Sequence, residues 1–224
     1  MRPVSGRILA CGGGGAFDSF LLGLAASRRP RVCFLPTAVA DDSGSIVGFY
    51  ERFDPLACDP YHVELFGIPD APAERLASAD VVWVSGGNTA NMLAVWRVHG
   101  IDAALRAAWE RGAVLGGSSA GANCWFEASV TDSFGAEFRP LDDGLGLLRG
   151  SFCPHYDGQE LRRLVYTRLV ADGALPPGVA CDDAAAALYD ETELAEIVAT
   201  SPGARAYRVT AAGEEPLPTR LLSA

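Results

Sequence analysis

The chain has 224 residues, 49% of them hydrophobic and 21% charged, which is enough apolar material for a single domain over residues 1–224 with one buried core. A formal net charge of −10 repels phosphate, so no nucleic acid and no membrane is expected as a partner; a small molecule or peptide is. The first seven residues, Met1-Arg2-Pro3-Val4-Ser5-Gly6-Arg7, lack the apolar core of a leader, and no apolar run approaches the ~18 residues of a membrane span, so a cytoplasmic protein is expected.

The first predicted strand is Arg7-Ile8-Leu9-Ala10-Cys11, followed by a glycine loop at 12–15 and a helix starting at 17–22. A dinucleotide site is not expected there, because Phe17 stands where the third glycine of G-x-G-x-x-G belongs and the next strand, 31–37, carries no acidic residue for a ribose. A helical piece at 48–53, a strand at 61–66 and a short helix at 74–79 lead to the strand Asp80-Val81-Val82-Trp83-Val84. That strand opens onto Ser85-Gly86-Gly87-Asn88-Thr89, where Asn88 or Thr89 caps a helix running through Trp96. A second helix over 101–111 feeds the apolar run at 113–115.

This run ends in Gly117-Ser118-Ser119-Ala120-Gly121, and the apolar residues after it continue as a helix to Glu127. The spacing G-x-S-x-G places Ser119 on a tight strand-to-helix turn that projects its hydroxyl beyond the strand. Ser118 lacks the flanking glycine pattern, so Ser119 is the candidate nucleophile and Ser118, with Asn88, a candidate substrate contact. A polar loop over 129–135 and a glycine-rich segment precede a strand at 147–153, which delivers Pro154-His155-Tyr156-Asp157 and then a helix over 159–170. From Val179 onward, short runs at 179–183, 187–189, 196–199 and 206–209 read as antiparallel strands at one edge.

The alternation of strands and helices predicts an α/β fold, a mostly parallel sheet covered on both faces, with ligands outside the C-terminal strand ends. A serine hydroxyl needs a base, and the chain offers three imidazoles, His62, His99 and His155. His155, at the end of its strand and on the sheet edge expected for Ser119, is the candidate base. Asp183 is the first candidate acid for its second nitrogen, with Asp182 and Asp132 as alternatives. The amides of Ala120 and Gly87 are the candidate oxyanion donors. Of the six cysteines none shows metal-type spacing and neither Cys124 nor Cys153 occupies an elbow; reduced core thiols, no metal and no cofactor are expected.

Taken together, Ser85-Gly86-Gly87-Asn88-Thr89, Gly117-Ser118-Ser119-Ala120-Gly121-Ala122, Pro154-His155-Tyr156 and the late Asp182-Asp183 pair resemble peptidase family S51, the group containing aspartyl dipeptidase (peptidase E) and cyanophycinase. The resemblance spans about residues 8–210. It implies a three-layer fold similar to class I glutamine amidotransferases (flavodoxin-like), and a metal-free Ser-His-acid hydrolase acting on dipeptides with N-terminal aspartate or, alternatively, on an Asp-containing polymer. The third catalytic residue differs among relatives, so Asp183, Asp182 and Asp132 all stay open. A non-hydrolytic binding protein of the same fold is the competing expectation, and monomer and homodimer are equally compatible with the sequence. An aspartyl substrate calls for a cation; Arg139, Arg162 and Arg163 lie near the site segments, and none is assigned.

Overall fold

The computed structural model describes residues 6–158 and 160–223. Residues 1–5, most of the stretch read above for a leader, lie outside them, as does Gln159 at the expected start of the helix after His155. The described chain runs β1 (Arg7–Cys11), α1 (Asp18–Gly23), β2 (Arg31–Leu35), α2 (Ser43–Phe53), β3 (Asp59–His62), α3 (Pro72–Leu76), β4 (Val81–Val84), α4 (Thr89–His99), α5 (Ile101–Glu110) and β5 (Val114–Ser118). There follow α6 (Ala120–Asn123), β6 (Phe126–Thr131), β7 (Arg139–Leu141), β8 (Leu148–Cys153), α7 (Glu160–Ala171), β9 (Gly178–Cys181), β10 (Ala185–Asp190), β11 (Glu193–Ala199), β12 (Ala206–Thr210), β13 (Gly213–Pro216) and β14 (Thr219–Leu221).

The strands form two sheets. The larger has the order β14-β11-β10-β1-β5-β4-β2-β3, and its five strands from β1 to β3 are all parallel. Side chains alternate across it, as the period of two requires. Leu9, Cys11, Val32 and Phe34 point to a layer containing Leu21 of α1 and Phe49 and Phe53 of α2. Ile8, Ala10, Cys33 and Leu35 point to the opposite layer, where α4 and α5 bury Met92, Leu93, Trp96, Ile101 and Leu105. Continuous apolar strands are what a sheet covered on both faces demands, and this α/β architecture is the one expected.

The second sheet, in the order β13-β12-β9-β8-β6-β7, packs on the same side as α4 and α5 through Phe126, Phe152 and Val179. Its outer face is closed by Tyr166 and Val170 of α7 against Ala128, Cys153 and Ala180. Of the short C-terminal runs, β10 and β11 do join the large sheet antiparallel beside β1, whereas β9 and β12 build the second sheet.

Two local expectations fail for identifiable reasons. The helix after Ser119 is a single turn ending at Asn123, because Phe126 instead starts β6 and stacks on Phe152 at 4.9 Å between ring centroids. The segment 129–131, polar in sequence, is the end of that strand; Ser129 and Thr131 are only 1% and 2% exposed.

Candidate active site

Ser119 sits where β5 turns into α6, with φ 56° and ψ −110°, a sparsely populated backbone conformation that costs on the order of 1–3 kcal/mol and is held by its surroundings. Small neighbours make the turn possible: a Cβ on Gly117 would strike the Gly121 backbone, and one on Gly121 would strike the Val84 carbonyl. The Ser119 amide donates to the Cys11 carbonyl at 3.1 Å, and its own carbonyl accepts from the amides of Ala122 and Asn123. Its hydroxyl is left without a hydrogen bond among the described residues and half-buried at the sheet edge. Ser118 ends β5 in register with Cys11.

The turn after β4 lies directly against this serine: a Cβ on Gly86 would come to 3.5 Å from Ser119 Cβ. Gly87 has φ +131°, and a side chain there would meet the Ala38 carbonyl, so both conformation and space require glycine. The Gly87 amide donates to no acceptor among the described residues. The Ala120 amide, at the first position of α6, has no intrahelical acceptor. Asn88 is occupied structurally: its Oδ1 caps α4 on the Asn91 amide at 2.9 Å and its Nδ2 donates to the Ser133 carbonyl at 3.0 Å.

His155 follows β8 and Asp183 follows β9, so both come from the second sheet rather than from the strand edge that carries Ser119. They meet because β8 and β9 are parallel neighbours with Cys153 opposite Ala180. His155 Nδ1 and Asp183 Oδ1 are 2.6 Å apart, and Asp157 Oδ1 accepts the Asp183 amide at 2.8 Å. Among the described residues neither His155 Nε2 nor Ser119 Oγ makes a hydrogen bond.

What brings the two sheets together is the end of β1. The carbonyls of Cys11, Gly12 and Gly13 accept the amides of Ser119 (3.1 Å), His155 (3.2 Å) and Ala184 (2.6 Å) in turn. Three consecutive residues thereby fix the backbones of all three candidate catalytic segments. Gly13 also abuts the pair itself: a Cβ there would fall under 3.0 Å from Asp183 Oδ1 and from His155 Cε1 and Nδ1. Sequence reasoning treated this loop as a failed nucleotide motif; four successive glycines after an apolar strand were the signal of close backbone approach.

The alternative acids lie elsewhere. Asp182 is 4% exposed, accepts the Arg205 amide on Oδ2 at 2.9 Å, and keeps Oδ1 buried without a partner among the described residues. Burial, reinforced by Asp157 and Asp183, pushes its carboxyl up to about 6 against the pull of the Arg205 amide. Asp132 pairs with the buried Arg162 at 3.2 Å, and the Arg162 guanidinium lies 4.4 Å above the Phe138 ring. His62 bonds Tyr50, and His99 ends α4. Cys124 and Cys153 are buried with thiols pushed up by desolvation. Among the described residues no three His, Cys, Asp or Glu side chains are grouped to hold a metal ion, and no helix is long and apolar enough to cross a membrane.

The chain is similar to known proteins in sequence and in fold. The family model described as peptidase family S51 matches residues 8–197. A Bacillus subtilis (strain 168) protein named "Uncharacterized peptidase YgaJ" is 43% identical over 231 residues, covering 96% of this chain and 99% of that protein. Among solved structures, a peptidase from an acI-B1 Actinobacterium superposes with a TM-score of 0.70 at 18% identity, covering 97% of this chain and 96% of the other, which speaks for the fold.

Proposed function

The chain belongs to peptidase family S51, and from that premise we propose that it is a serine hydrolase of short peptides, with dipeptides carrying N-terminal aspartate as its substrates. The observation that carries this is the 2.6 Å His155–Asp183 pair hung, together with Ser119, on the consecutive carbonyls of Cys11, Gly12 and Gly13 where β1 ends. Asp183 fixes His155 with Nδ1 protonated, leaving Nε2 free to accept the Ser119 proton. Ser119 Oγ then attacks the scissile carbonyl carbon, and the carbonyl oxygen takes the negative charge facing the Gly87 and Ala120 amides. Collapse breaks the C–N bond, the leaving amine takes the proton from His155, and water, deprotonated by the same imidazole, hydrolyses the acyl-enzyme.

Short substrates are favoured by the 132–138 loop. Ser133 is tied to Asn88 and to the Ala90 amide at 3.2 Å, and Asp132 to Arg162, so this loop walls the space between the Gly87 turn and α7. The test is hydrolysis of Asp-X, Glu-X, Asn-X and Ala-X dipeptides by wild type and Ser119→Ala. Serine-dependent cleavage confined to Asp-X is expected; cleavage that survives Ser119→Ala overturns the mechanism. Serine-dependent cleavage of a branched Asp-containing polymer in place of dipeptides would assign the polymer-trimming specificity instead.

A further inference from the structure

Beyond the residues that match the family model, the C-terminal hairpin reaches back to the residue beside His155. Tyr156 is fully buried, and its hydroxyl donates to Oε2 of Glu214 on β13. The same carboxylate is held in two places by Arg163, Nε to Oε2 at 3.2 Å and Nη2 to Oε1. The Arg163 guanidinium in turn lies 4.8 Å from the Tyr156 ring centroid and 4.9 Å from that of Tyr207 on β12. The hydrogen bonds from Arg163 and Tyr156 hold the Glu214 carboxyl below its ordinary value although burial opposes them. A bidentate, charge-assisted pair packed against two adjoining aromatic rings, whose centroids are 5.2 Å apart, is rigid, and it is anchored on a residue that the proposed chemistry does not touch.

The neighbour it anchors is under strain. His155 has φ 52°, a left-handed conformation that a non-glycine residue keeps only when its surroundings over-determine it. On one side its amide is held by Gly12; on the other the Tyr156 amide donates to Cys181 at 3.1 Å and the Tyr156 side chain is clamped by Glu214. We propose that Glu214, through Tyr156, is a positioning residue that keeps the His155 imidazole aligned between Asp183 and Ser119. The β12–β13 hairpin is therefore part of the working site although it supplies no reacting atom. This rests on the hydrolase reading above and adds to it a residue that the catalytic constellation does not contain.

The experiment measures the rate of covalent phosphonylation of Ser119 by a small fluorophosphonate, and peptide kcat and KM, for wild type, Glu214→Ala, Glu214→Gln, Tyr156→Phe and the Glu214→Ala/Tyr156→Phe double variant. Misplacing a catalytic group by about an ångström costs on the order of 10²-fold, so Glu214→Ala is expected to lower the phosphonylation rate and kcat by about 10- to 100-fold with KM nearly unchanged. Glu214→Gln keeps an acceptor for Tyr156 and is expected to recover part of the loss, which also covers the case of Glu214→Ala failing to fold. The double variant should be no slower than Glu214→Ala, since both act through one contact. In the NMR spectrum, with three histidines to assign, the His155 Nδ1 proton should sharpen in wild type and broaden in Glu214→Ala. Wild-type phosphonylation and an unchanged His155 signal in Glu214→Ala, whatever its melting temperature, overturn the positioning role while leaving the hydrolase intact. Failure of wild type itself to label removes the hydrolase and the positioning role with it.

Discussion

Gly13→Ala isolates the geometry of the His155–Asp183 pair with one methyl group. Gly13 is not among the positive-φ residues, so no left-handed backbone stands against alanine and the effect comes from the new Cβ. That atom would stand under 3.0 Å from Asp183 Oδ1 and from His155 Cε1 and Nδ1, whereas ordinary contact is 3.4–4 Å. Relieving it moves the imidazole and carboxylate by roughly an ångström, which predicts a loss of about 10²-fold in kcat. Stability should change little: the pair is partly exposed and contributes at most ~1 kcal/mol, while alanine stiffens the unfolded chain by ~0.4–1 kcal/mol in compensation. The neighbouring control is Gly14→Ala, which has φ +51° and nothing within 4 Å, so it should cost about 1–2 kcal/mol of stability and almost no activity. Steady-state kinetics and thermal melts on both variants decide the matter. A Gly13→Ala enzyme at wild-type kcat, or a Gly14→Ala enzyme equally crippled, would show that the Gly13 contact does not set the geometry of the pair.

Asp183→Asn should lower kcat by about 10³–10⁴-fold with little change in KM, because the amide no longer fixes the His155 tautomer. Asp132→Asn should leave kcat within a few-fold and cost at most about 1 kcal/mol in melting experiments, its carboxylate being half-exposed. Asp182 makes a pH prediction. Its carboxyl is raised from 3.8 to about 6 in the fold, so between those values the folded state holds a proton that the unfolded chain has released, and stability falls as pH rises through the window. Urea midpoints at pH 4.5 and 7.5 should show wild type losing up to about 2 kcal/mol relative to Asp182→Asn on going to the higher pH; parallel profiles would contradict this.

Much of the site was legible because each piece is local. The glycine spacing around Ser119, the paired glycines at 86–87 and the apolar runs of β1, β2, β4 and β5 each announce themselves within ten residues. What was not legible is pairing between distant strands. His155 and Asp183 meet only because β8 and β9 run parallel in a second sheet, and that sheet was hidden by β6, whose Ser129 and Thr131 look solvent-facing in sequence but are buried. The role of Gly12 and Gly13 is likewise a tertiary fact: their carbonyls and missing side chains matter through segments more than 140 residues away. Asn88 shows the converse, a polar residue near the site whose side chain is consumed by capping α4 and holding Ser133.

Everything proposed for this site depends on Ser119 being a nucleophile activated by His155. The most direct test is peptide mapping by mass spectrometry after fluorophosphonate treatment of wild type, Ser119→Ala and His155→Gln. A single adduct on Ser119, absent in Ser119→Ala and formed at least 10²-fold more slowly in His155→Gln, is the predicted result. Adduct on another residue, or labelling of Ser119 at an undiminished rate in His155→Gln, would contradict it.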